Sequence, residues 1–201
     1  NDWNNGWQGG SQNSDLVDMA RLLTGEWYGP VTYSYLADDG QSRQIDKFYA
    51  DMKFFQYANT RDALSGEGVE TDYKYNDDGS VADQQTLEFK WYIDDNYDIY
   101  IKYKNSGATF VMDYGSSQAG FHLGYEKGHD KDTFWGYMIG TGSSKGDVIY
   151  IDLERVNQTS QAKAFGSSKT SEKTVKSSSS FGKGATIKPL KTDSSRLNNR
   201  R

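Results

Sequence analysis

The chain has 201 residues, no cysteine, 2 prolines, 21 glycines, aromatic residues at 14% and a formal net charge of −5. Without cysteine there is no disulfide framework, no thiolate nucleophile, no Cys-ligated zinc and no iron–sulfur cluster. The length suits one domain with appendages, and no apolar run reaches the ~18 residues that a membrane-spanning helix needs.

The charge is unevenly spread. Residues 1–156 hold 26 acidic and 13 basic side chains, whereas residues 157–201 hold 2 and 10. An acidic body repels phosphate, so nucleic-acid binding by the body is not expected. Residues 1–13 are rich in Asn, Gly and Gln around Trp3 and Trp7. They show no apolar period and read as a flexible lead. The chain begins at Asn1 rather than Met. This fits a processed N-terminus and an exported protein of the cell envelope or the extracellular space. A signal peptide or a lipid-anchored cysteine ahead of Asn1 is compatible with it.

Residues 14–23 predict a short helix. Asn13 or Ser14 can cap it, Asp15 suits its positive end, and Leu16, Met19, Ala20 and Leu23 form one apolar stripe. Gly25 ends it. From there to residue 156 the period is two. Trp27, Val31, Tyr33 and Tyr35 share one face, as do Phe48, Met52 and Phe54. Leu87, Phe89, Trp91 and Ile93 follow, then Tyr97, Ile99, Ile101 and Tyr103, then Phe121, Leu123 and Tyr125, then Ile149, Ile151 and Leu153. Further strands are expected near 66–75, 107–114 and 132–140. Turn signals such as ADDGQ at 37–41 and NDDGS at 76–80 separate the runs. Eight to ten strands with no helix between them predict an all-β, antiparallel up-and-down meander. Closing it on itself removes both edges.

Residues 157–201 form a low-complexity basic tail, which is expected to be disordered because it lacks apolar area. The fragments AFGSSK and SFGKGA recur in it, too few times for a repeat architecture. Its basic residues, with Phe165 and Phe181 between them, suit a protein or acidic-polymer partner or an anionic surface. A soluble linker, or a tail held loosely by its own acidic barrel, is the plainer alternative.

A short helix, Gly25 and Trp27 in TGEWYG on the first strand, a meander, and Arg155 in DLERV on the last strand together resemble the lipocalin-like, or calycin, barrels. The body also resembles small exported lipocalin-like domains of bacteria with polar N-terminal leads. The resemblance covers residues 14–156. It implies that Trp27 closes one end of the barrel and that Arg155 packs across the indole; Gly25 would leave room where the helix abuts the barrel floor.

Five sites are candidates. Inward aromatics Tyr33, Phe54, Trp91, Tyr103, Phe121 and Tyr125 could line a cavity for a hydrophobic or amphipathic ligand, or fill the barrel as core. Tyr28, Tyr92, Tyr100, Trp135 and Tyr137, near Asp94, Asp95 and Asp98, could offer a sugar platform; exposed tyrosine also suits strands in general. His122, Glu126, His129, Asp130 and Asp132 lack a recognised metal spacing, and residues 76–88 lack the order of a calcium loop, so no metal is expected. No catalytic motif is present, so neither an enzyme nor a cofactor is expected. The basic tail is the fifth. The leading expectation is a non-enzymatic exported binding module. The alternative is a structural or adhesion protein with a filled barrel, acting through its surface and tail.

Overall fold

The two-residue period becomes a continuous antiparallel sheet in the computed structural model, which describes residues 13–57, 63–157, 163–167 and 181. The lead at 1–12 and most of the basic tail lie outside the described residues. Helix α1 spans Ser14–Leu23. The Asn13 side chain accepts the Asp15 backbone N–H at 2.8 Å, satisfying one of the donors a helix start leaves open. Leu16, Val17, Met19, Ala20 and Leu23 are buried, which is the stripe the spacing predicts with Val17 added.

Among the described residues ten strands follow: β1 Gly25–Leu36, β2 Arg43–Gln56, β3 Ser65–Tyr75, β4 Val81–Ile93, β5 Ile99–Tyr103, β6 Thr109–Met112, β7 Phe121–Gly124, β8 Thr133–Thr141, β9 Val148–Arg155 and β10 Ala164–Gly166. Each of β1 to β5 pairs with the next. Then β6 pairs with β8, β8 with β9, and β9 returns to β1. The result is a closed antiparallel barrel of eight staves.

The difference between ten strands and eight staves has a local cause. β6 lies along the second half of β8, with Thr109 opposite Thr141. β7 lies along the first half, with Phe121 opposite Gly136. They share one place in the ring, separated by residues 113–120. β7 runs past the start of the short β5, so its outer edge would be open. β10 covers that edge, with Phe165 opposite Leu123. Gly166 permits it: at φ +95° a Cβ would lie 1.6 Å from the Phe121 carbonyl oxygen.

Two described parts of the segment expected to be a low-complexity tail nevertheless join the barrel. Residues 164–166 belong to the sheet, and Phe181 is buried in the core. Each buries one aromatic ring, which a composition argument averages away.

The interior divides along the axis. The end beside α1 is dry, with Trp27, Phe54, Phe89, Trp91 and Phe134 packed edge to face at ring separations of 5.0–6.2 Å. The opposite end is the mouth, where the β1–β2, β3–β4 and β8–β9 turns lie. There the inner wall is polar. Among the described residues, no helix is long and apolar enough to cross a membrane.

Candidate functional site

The floor is built first by the sequence. The Trp27 indole N–H donates to the Leu23 carbonyl at 2.9 Å, tying β1 to the end of α1. The Arg155 guanidinium lies 4.1 Å from the indole ring centroid. Its Nε donates to Asp132 Oδ2 at 3.2 Å and its Nη1 to the Thr24 carbonyl at 2.8 Å; Nη2 reaches the Leu22 carbonyl. A cation thus satisfies the carbonyls that a helix leaves open at its negative end. Gly25, at φ +115°, stands where a Cβ would be 2.7 Å from Arg155 Nη1. The three residues singled out in the sequence meet at one point.

Of the six inward aromatics, Tyr33, Phe54, Trp91, Tyr103 and Phe121 are buried. They do not line one pocket. Phe54 and Trp91 belong to the dry floor. Phe121 packs on Tyr114, with centroids 6.0 Å apart. Tyr33 and Tyr103 lie higher and use their hydroxyls: Tyr33 donates to Asp147 at 2.8 Å, and Tyr103 to Glu70 at 2.6 Å. Tyr125 does not join them. It falls one residue past β7, after the strand alternation has ended, and is 39% exposed.

The polar inner wall comes from residues that do not stand out in the sequence. On β3, Gly66, Gly68, Glu70, Asp72 and Lys74 face inward, while Val69, Tyr73 and Tyr75 are only half-buried on the outer side. Lys74 is fully buried at 0% exposure, in an ion pair with Asp46 of β2. Burial drives its pKa below the usual lysine range, against the pull of Asp46, Asp83 and Asp72. Gln85 of β4 donates to Asp72 Oδ2 at 2.7 Å. Its own Oε1 is buried without a hydrogen-bond partner among the described residues. Above this wall, between Tyr35 and the β1–β2 turn at Asp38 and Asp39, lies a groove of about 380 Å³.

The outer aromatics largely pair with one another. Tyr92 stacks on Tyr100 at 4.7 Å, and Tyr28 on Tyr49 at 5.8 Å. Trp135, expected at the surface, is buried and stacks on His122 at 5.3 Å. Its indole donates to Glu126 at 3.2 Å. Rings stacked in this way offer a sugar fewer free faces.

Among the described residues, no group of three or more His, Asp and Glu stands close enough to hold a metal. Asp132 is engaged by Arg155, and His129 faces Glu126 at 3.5 Å. Burial lowers the His122 pKa, favouring the neutral ring.

One carboxyl on the outer face titrates unusually. Burial first, and then a hydrogen bond and charge from Glu26, push Asp51 up from 3.8 to about 7. A raised folded-state pKa means the native state holds the proton more tightly. The associated stability is complete below pH 3.8 and is lost as pH rises through about 7. Wild-type stability should therefore decline across that window, and Asp51→Asn should flatten the decline. Denaturation midpoints between these pH values check it, with a carboxyl NMR titration of Asp51 alongside. A pH-independent difference between the two chains contradicts the shift.

Compared with protein-family models, curated proteins and solved structures, the chain gave no match.

Proposed function

We propose that this chain is a non-enzymatic binding module that takes a small amphipathic ligand at the mouth of its barrel. The observation that carries this is the inner wall of β3 and its neighbours. A barrel that only needs filling gains nothing from an enclosed lysine and carboxylates, since desolvating such charges costs more than an apolar packing would. Enclosed ionisable groups beside an acceptor with no partner among the described residues are the arrangement expected where a ligand supplies the missing contacts. Apolar ligand surface would meet Phe48, Leu87 and Ile149. Its polar end would meet Lys74 and Gln85, with the Tyr33 and Tyr103 hydroxyls setting orientation.

The Gly25, Trp27 and Arg155 cluster at the helix-capped floor supports a lipocalin-like assignment, and with it the exported, cell-envelope setting. The dry floor favours a second reading. In it the barrel is a packed support whose outer face and basic tail bind partners in an envelope assembly.

Native mass spectrometry of the protein from its own source separates the two. The binding reading expects a one-to-one small-molecule adduct that is lost when Lys74→Met and Asp46→Leu are combined. A bare protein mass in both samples overturns it in favour of the packed support.

A further inference from the structure

We propose that the mouth is a socket for an aromatic ring borne on a basic chain segment. The chain's own Phe181 is its resident occupant, and an outside ligand gains access by presenting a ring in its place. This rests on the reading that the mouth is a binding site, and it names the ligand class.

The socket is visible in its contacts. Phe181 is 0% exposed. Its ring meets Phe48 edge to face, with centroids 5.5 Å apart and planes at 74°. The Lys74 ammonium lies 5.3 Å from the Phe181 centroid and 6.0 Å from that of Phe48, so one enclosed cation serves two rings. Lys74 is also the residue whose presence inside the barrel a simple core does not explain.

The occupant is unusual for a core residue. Phe181 follows four serines and precedes Gly182 and Lys183. Such a sequence has no amphipathic period that would drive it into a core. It is held because the site fits the ring. Charge favours the same pairing. Asp38, Asp39, Asp77 and Asp78 stand in the β1–β2 and β3–β4 turns at the mouth, and Lys176, Lys183 and Lys188 flank Phe181 in sequence.

The recurring Phe-Gly fragments gain a physical meaning here. In the first copy, Phe165 is buried at the edge of the barrel with the Lys163 ammonium 5.6 Å from its ring. In the second, the ring is again buried beside an ammonium, but inside the mouth. Both copies bury a ring next to a cation. Only the second lies where a ligand would.

The test reads Lys74 directly, in the full-length chain. Acylation by an N-hydroxysuccinimide ester is followed residue by residue with peptide mass spectrometry. In the wild type, Lys74 should resist while exposed lysines react. In Phe181→Ala its rate should rise about tenfold or more, because closure of the mouth is lost. Phe181→Leu keeps apolar bulk and should fall between. Added synthetic peptide spanning residues 176–188 should restore protection to Phe181→Ala, and the same peptide carrying Phe181→Ala should not. Restoration by the native peptide also shows that the variant is folded. Equal Lys74 rates in wild type and Phe181→Ala overturn the socket. Equal protection by both peptides overturns the role of the ring. Neither readout needs a small-molecule adduct, so a bare native mass spectrum refutes the ligand reading alone.

Discussion

Arg155→Ala should lower stability by about 3–5 kcal/mol, the loss typical of breaking a buried ion pair from one side. The total for a domain is only about 5–15 kcal/mol. The change removes more than a charge. Asp132, fully buried, loses its guanidinium partner, and the Leu22 and Thr24 carbonyls lose their donor. The Trp27 indole loses the plane that covers it. Arg155→Lys should rescue little. An ammonium is compact, and it cannot lie flat on an indole while reaching an aspartate and two carbonyls. Denaturant midpoints measure the loss. Faster amide exchange confined first to α1 would show where the floor opens. A variant with the wild-type midpoint would mean that the barrel closes without its cation.

The second large effect concerns the mouth. Lys74→Met alone should also cost about 3–5 kcal/mol, because the buried ion pair with Asp46 is then broken from one side. Adding Asp46→Leu should recover most of that loss. An apolar pair of similar volume avoids the desolvation that the ion pair must offset. The double-mutant cycle isolates the coupling. Additive losses would show that Lys74 acts through some other contact. Recovery of stability together with loss of a bound adduct would separate what the pair does for the fold from what it does for binding.

Much of this architecture could be read from the sequence, because burial on one face of a strand leaves an alternating record. Trp27, Val31 and Tyr33 on β1, and Leu87, Phe89, Trp91 and Ile93 on β4, lie inward as their period requires. The floor cluster was legible through a resemblance to the lipocalin-like barrels, which joins Gly25 and Trp27 on the first strand to Arg155 on the last. β3 was not legible. Its inner face carries glycines, carboxylates and a lysine, and its tyrosines lie outside, so the usual rule for choosing the buried face points the wrong way. The shared stave of β6 and β7 was hidden as well. Nothing in residues 113–120 announces that the chain resumes the same place in the ring. Phe165 and Phe181 stood out as rings among basic residues, but their burial was not legible, because one ring in a run of serine and lysine barely changes the composition.

The closure between β1 and β9 also sets an order in time. Trp27 is opposite Arg155 in that register, so strands made early and late must meet before the ring exists. Pairing over such a separation is slow, on the order of milliseconds to seconds for all-β chains, since the loop must close before its contacts reward it. While β9 is still being synthesised, β1 presents an unpaired edge and the aromatic floor has no lid. The indole and guanidinium that hold the finished floor therefore cannot meet until β9 has been made. Until they meet, the chain is exposed to association with its neighbours.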